Sequence, residues 1–523
     1  MYGLMKWIAL ALVAITPLSA IAITNASLFA WAAANLPQYF GGTPITGQTQ
    51  EFDFRYYPGT GNYLGVDSDG GVYVLGPATE NVLYFAGTSA SFAPYVEAWE
   101  TSQVKSKLPL MRAMSIAGNW GSNVDGFKNF PEAFVQSPLI SDNLNWIGIK
   151  LPIFNASIAD PAVRIRYRPS SDTNYANIYS FDDADIVNAV TKLKQRGFKI
   201  YLSMVLSQPS SDQSSTCMTA QYGVDLHLLG DSQVPTAQNS SAWKYQCIDP
   251  AMWWWNPSHP SHSENVAIFW STYTQVAVYY AKIAKQLGVD MLALGEETDR
   301  LFITQSSARF PNNYRNELSQ MVSAVRRQYD GLLTYGQQSF IYWPHPEWWG
   351  LDNKASASLF KDLELDVVGI SSAFPLVDSP VTNVLSVAQL EADWSAAFRN
   401  YIVPLQANNP TTPIIFSDIG FADSVNAPYA GVSQSGEAFV FSDANGNGLD
   451  DGMEQQANLV QALFNVNEKF DYLLRGVVLA WSQIDTNPGA ALYDQTHRGI
   501  QLHGKLVEKV ITDAYAHWKN VAP

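Results

Sequence analysis

From about residue 105 the chain repeats one pattern: a short run of apolar residues, then a longer stretch with apolar residues every three or four positions. LPLMRAMSIAG (108–118), LNWIGIKLPI (144–153), KIYLSMVL (199–206) and VDMLALG (289–295) read as strands buried on both faces. GLLTYGQ (331–337), LDVVGIS (365–371), TPIIFSDIG (412–420) and RGVVLAWSQ (475–483) read the same way. The stretches between them carry helix signals. Ser180 and Asp183 stand at capping-box spacing, Ile186, Val190 and Leu193 share one face, and Gly197 stops the run. A longer helix is predicted from about Asn265 to Leu287, ending at Gly288, and others in LEADWSAAFRNYI and EQQANLVQALFNVNEKF. Eight strand-then-helix units predict an α/β fold, a (β/α)8 TIM barrel over residues 105–523. An open doubly wound sheet is the alternative, but no glycine-rich phosphate turn follows the first strand.

Residues 46–95 obey a different rule. FDFRYYPGTGNYLGVDSDGGVYVLGP alternates polar and apolar positions between PGTG and DSDGG turns, which predicts a small all-β hairpin module ahead of the barrel. Before it, Lys6 precedes an apolar stretch that ends in Ala20-Ile21-Ala22, the pattern of a signal peptide over residues 1–22. An uncleaved N-terminal anchor is the alternative. The expectation is a secreted or cell-surface protein with no further membrane span.

Composition narrows the class of partner. A net charge of −16 argues against nucleic acid or an anionic membrane surface. Sixteen Trp, 26 Tyr and 25 Phe supply flat rings of the kind that stack on sugars. Cys217 and Cys247, the chain's two cysteines, flank one insertion and are expected to form a disulfide.

In a barrel of this kind chemistry sits at the C-terminal ends of the strands. Glu296 and Glu297 close strand 4, Asp418 closes strand 7, Trp481 closes strand 8, and Asn119-Trp120 follow strand 1. Acids at strands 4 and 7 face each other across the mouth, as glycosidic hydrolysis requires. Trp254 lies within the WWW of the loop after strand 3 and is a candidate sugar platform, and Phe374 in SSAFPL follows strand 6.

DANGNGLDDGME (443–454) is a separate signal. Asp443, Asn445, Asn447, Leu449 and Glu454 fall at positions 1, 3, 5, 7 and 12 of an EF-hand-type loop, with Gly448 at position 6. It predicts one structural Ca2+; a solvated Asn/Gly turn is the alternative. Asp450 at position 8 argues against a paired hand.

The strand-4 GEE, the strand-7 DIGF and the following QANLVQALF resemble the large TIM-barrel glycosidase clan, closest to its bacterial β-mannanase-like branch. That resemblance implies a glycosidase cleaving a β-linked poly- or oligosaccharide, mannan-type chains first. It implies Glu297 as proton donor, Asp418 as nucleophile and Trp481 as a floor beneath the sugar. Glu296 stands where the clan places Asn, so it either meets a sugar hydroxyl or pairs with Arg300 or a nearby Lys. Asp418 stands where the clan has Glu. The shorter side chain leaves open retention through an inward backbone, inversion through an added water, or loss of catalysis. A non-catalytic carbohydrate-binding barrel and a structural surface protein are the readings from other classes.

Overall fold

A computed structural model describes residues 23–116, 143–155, 160–165, 183–207, 260–296, 314–337, 363–372, 376–430, 438–481, 498–502 and 504–521. The chain forms two compact units that divide after Lys107.

The N-terminal unit is built on a five-stranded antiparallel meander, β1 (Ile45–Gln48), β2 (Phe52–Tyr57), β3 (Asn62–Asp67), β4 (Gly71–Leu75) and β5 (Tyr84–Thr88). Alternation gives the sheet two characters. One face buries Tyr57, Leu64, Val66, Val72 and Val74 against Leu28, Phe29 and Ala32 of α1 (Asn25–Asn35) and Val96 of α2 (Ser89–Lys107). The other carries a run of touching rings: Phe52 on Tyr73, Tyr73 on Phe85, and Tyr56 on Tyr63 at 4.4 Å. The separate antiparallel sheet agrees with the sequence pattern, and two helices flank it.

In the second unit, parallel strands β6 (Met111–Ile116), β7 (Trp146–Asn155), β9 (Lys199–Ser207) and β10 (Met291–Glu296) form the first half of a barrel. The second half is β11 (Leu332–Gln337), β12 (Val368–Ser372), β13 (Ile414–Ile419) and β14 (Leu474–Trp481). β6 pairs with both β14 and β7, which closes the ring, and two-residue β8 (Val163–Arg164) lies antiparallel on the end of β7. This is the predicted TIM barrel.

Period-2 alternation sorts the strand residues between two cores. Met111, Ala113, Trp146, Tyr201, Met291, Ala293, Val367, Ile415 and Val478 fill the lumen. Their neighbours Ile147, Ile149, Leu202, Leu292, Ile370 and Phe416 face the helices. The lumen is therefore packed solid, and Trp146 and Tyr201 at 2% and 1% exposure each contribute about 2–3 kcal/mol of burial.

The helical layer follows the predicted spacing. α3 (Asp183–Gln195) buries Ile186, Val190 and Leu193, while its expected cap Ser180 lies outside the described residues. α4 (His262–Leu287) buries Phe269, Tyr273, Val276, Tyr280 and Ala284 on one face. α5 (Arg315–Arg326), between β10 and β11 in the sequence, buries Leu318, Met321, Val322 and Val325, and α6 (Val387–Ala397) opens on a capping box of Ser386 and Gln389. α7 (Asp451–Lys469) is capped by Asp450, and α8 (Leu506–Val521) follows β14.

Candidate active site at the barrel mouth

The two strands that carry the candidate acids share an irregularity. Ala293 pairs with Thr334 and Glu296 with Gly336, so β10 holds one more residue than β11 over this span. Phe416 pairs with Val477 and Ile419 with Leu479, and on its other side Ile370 and Ser371 of β12 pair with Phe416 and Asp418. β13 therefore also carries one extra residue. Each is a β-bulge at the C-terminal end of a strand, a device that re-aims side chains.

In β10, Met291 and Ala293 point into the lumen, so strict alternation would send Glu296 outward. The bulge reverses this. Leu294 and Gly295 both face the helices: Tyr273 of α4 donates to the Leu294 carbonyl at 2.6 Å, and a Cβ on Gly295 would lie 2.5 Å from the Tyr335 hydroxyl. Tyr273 thus satisfies a carbonyl that the bulge takes out of the ladder. Glu296 then turns inward and is 4% exposed.

Ser203 of β9 donates to Glu296 Oε2 at 2.5 Å, and Ser417 of β13 donates to Oε1 at 2.8 Å. Tyr201 approaches Oε2 at 3.4 Å. Gly336 makes the room, since a Cβ there would overlap the carboxyl group. Burial, then the nearby Asp418 charge, push the Glu296 pKa up to about 7, against the opposing pull of Lys150, Ser203 and Ser417. Burial thus favours the protonated form of Glu296 well above the ordinary carboxylate range.

The bulge in β13 brings both Ser417 and Asp418 to the lumen side. Lys150, the sole Lys of the apolar β7 run, reaches across the mouth and forms an ion pair with Asp418 Oδ2. The two side chains are 15% and 17% exposed, so the pair is partly desolvated. Asp418 Oδ1 is buried and has no hydrogen-bond partner among the described residues. Ser115 Oγ on β6 is likewise buried without a partner. A polar layer of Ser115, Lys150, Ser203, Glu296, Ser417 and Asp418 thus caps the apolar lumen.

Of the residues singled out from sequence, Glu296 and Asp418 come together here. In the structure the Glu296 oxygens are held by Ser203 and Ser417, with Lys150 close enough to favour its charged form. Trp481 ends β14 at the same rim of the barrel. Asn119, Trp120, Cys217, Cys247, Trp254, Glu297, Arg300 and Phe374 lie outside the described residues, as does the 1–22 segment. Lys150, Ser203 and Ser417 were not singled out. Each has a signal in hindsight of a polar residue interrupting an apolar strand: Lys150 shares parity with Trp146, and Ser203 with Tyr201.

Among the described residues no helix is long and apolar enough to cross a membrane, and no three His, Cys, Asp or Glu side chains gather around a common metal position.

No family model matches the chain, and no curated protein does. Among solved structures it is similar to the GH113 β-mannanase of Alicyclobacillus acidocaldarius, at 14% identity and TM-score 0.47 over 78% of this chain and 98% of that one. An endo-1,4-β-D-mannanase from Thermotoga petrophila gives 10% identity and TM-score 0.45 over 78% and 99%. A xylanase from Cellvibrio japonicus gives 14% and 0.42 over 79% and 99%. With TM-scores below 0.5 these likenesses add nothing to the barrel that the chain's own strand pairings show.

Proposed function

We propose that the barrel is a glycoside hydrolase acting outside the cell on a β-linked poly- or oligosaccharide, with mannan-type chains first. One observation carries this reading. Asp418 stands at the end of strand 7 with one oxygen on Lys150 and the other bonded to nothing among the described residues, near Glu296 at the end of strand 4, which Glu297 follows in the sequence. A carboxylate held by one oxygen and free at the other suits attack on an anomeric carbon, and an opposing acid suits protonation of the leaving oxygen.

In this reading Asp418 attacks the anomeric carbon as its bond to the glycosidic oxygen breaks and Glu297 protonates that oxygen; water, giving its proton to Glu297, then displaces Asp418 from the carbon and releases the sugar. The bulge that turns Asp418 inward supports the option in which the backbone makes up for the shorter side chain, hence retention. Glu296 lies close to Asp418. While it holds its proton, Asp418 faces Lys150 without a second negative charge beside it. Export is supported by the N-terminal apolar segment and by the cysteine pair.

A second assignment has its own observation: the pKa of about 7 fits Glu296 itself as the proton donor. Its two serine bonds and deep burial favour the supporting role.

Aryl glycosides separate the two. A dinitrophenolate leaving group needs no proton, so the variant that lacks the donor keeps its kcat/KM, which reports formation of the bond to Asp418, on that substrate and loses it on an unactivated glycan. Glu297→Gln is expected to behave so, Glu296→Gln to lose part of both rates, and Asp418→Asn to lose both. Wild-type rates in Asp418→Asn would overturn the proposal, since the bond to the sugar would then not pass through Asp418.

A further inference from the structure

We infer that residues Asp443–Glu454, which run from the segment after β13 into the first turn of α7, form a binding site for one Ca2+. The sequence places oxygen-bearing side chains at alternate positions, and the structure brings them to one place. The Asn445 and Asn447 amides each lie 2.9 Å from the same oxygen of Glu454, Oε2. Positions 3, 5 and 12 of the loop therefore converge on a single point. Turned about their last torsion, both amides present oxygen to that point, where a cation replaces the amide protons as the partner of the carboxylate.

The first ligand position is already set. The Asp443 carboxylate accepts from the N–H groups of Asn447 and Gly448, both at 2.9 Å, which curls the loop around it. The curl needs Gly448, whose φ of +84° an L side chain rarely adopts. Asn445 and Asn447 are exposed, so an ion can enter from solvent.

A second observation comes from the other side of the loop. Asp451, at position 9, is 3% exposed. Its Oδ2 reaches back into the loop, accepting from Ser442 Oγ at 2.6 Å and Ala444 N at 2.9 Å, while its buried Oδ1 has no partner among the described residues. A desolvated carboxylate oxygen without a donor is unfavourable. A cation in the loop, acting through a bound water at position 9, supplies the missing partner.

Asp450 explains why the loop works alone. At position 8 a paired hand would carry an apolar residue to meet its twin. Here Asp450 caps α7 by accepting from Gly452 N and Met453 N, and it pairs with Arg498 at 2.5 Å. The loop is thus fastened to its own barrel. Two carboxylates, two amides and a backbone carbonyl form a hard, oxygen-only set that favours Ca2+ over softer metals and over the smaller, strictly octahedral Mg2+.

The test is titration of the chelator-treated full-length protein with Ca2+ by calorimetry, beside Glu454→Gln and Asn447→Ala. The wild type is expected to bind one equivalent, Mg2+ at equal concentration not to compete, and both variants to lose at least tenfold in affinity. Asn447 is exposed, so its variant folds even if Glu454→Gln does not. Ca2+ is also expected to raise the wild-type Tm and to leave that of the variants unmoved. No saturable uptake by the wild type, or equal affinity in Asn447→Ala, would overturn the inference.

Discussion

The carboxyl group of Glu296 occupies the volume that a side chain at position 336 would take, so Gly336 on strand 5 and the inward acid on strand 4 are parts of one arrangement. Gly336→Ala is expected to push the carboxyl off its serine partners and to cost roughly 1–3 kcal/mol, the usual range for overpacking. Urea unfolding measures the loss, and a fall in activity larger than the loss in folded fraction would show that the displacement reaches the site.

Glu296 makes stability depend on pH in a stated direction. Its folded pKa of about 7 lies above the ordinary value of 4.5. Between these values the unfolded chain gives up the proton and the folded chain keeps it, so folding is progressively disfavoured as pH rises through that window and levels off above it. The shift corresponds to roughly 3 kcal/mol. Glu296→Gln has nothing to titrate there. Wild-type minus variant stability is expected to decline between pH 4.5 and 7, and a flat difference would contradict the buried carboxyl.

Lys150 balances the charge of Asp418. Lys150→Met is expected to cost about 1–3 kcal/mol, because the partly buried carboxylate loses its ion-pair partner. With Asp418 as the proposed nucleophile, it is also expected to lower kcat more than it changes KM, since the lysine touches that carboxylate. Michaelis kinetics on an aryl glycoside would read the split.

The segments that follow strands 7 and 8 are joined by a second buried ion pair, Lys505 to Asp423 at 3.0 Å, with side chains 0% and 1% exposed. Burial lowers the lysine pKa, and the aspartate opposes this. Lys505→Ala leaves Asp423 charged in the interior and is expected to cost about 3–5 kcal/mol. Lys505→Met paired with Asp423→Asn should cost less, which a double-mutant comparison in urea would show.

The barrel was legible because strand and helix periods alternate so regularly from residue 105 onward, and the N-terminal sheet because Asp-Gly turns separate alternating runs. The helices flanking that sheet were not assigned: α1 is apolar along LFAWAAA, and α2 contains Pro94 and has weak amphipathicity. The strand ends were legible only as a list of acids. Which acid faces inward depends on two bulges, and a bulge breaks the period from which facing is read. Ser203, Ser417 and Lys150 matter for the same reason, since their roles arise from contacts across the lumen between strands distant in sequence. The Asp443–Glu454 loop is the reverse case, because all the residues of the proposed site lie within one local stretch.

The most direct test of the whole account is reducing-sugar release from β-mannan, β-glucan, xylan and galactan by the wild type, with Glu297→Gln and Asp418→Asn beside it. The account predicts release from at least one of these glycans, mannan first, and its loss in both variants. No release from any glycan, with glycan binding unchanged in the variants, would contradict it and leave a barrel of this shape without the chemistry.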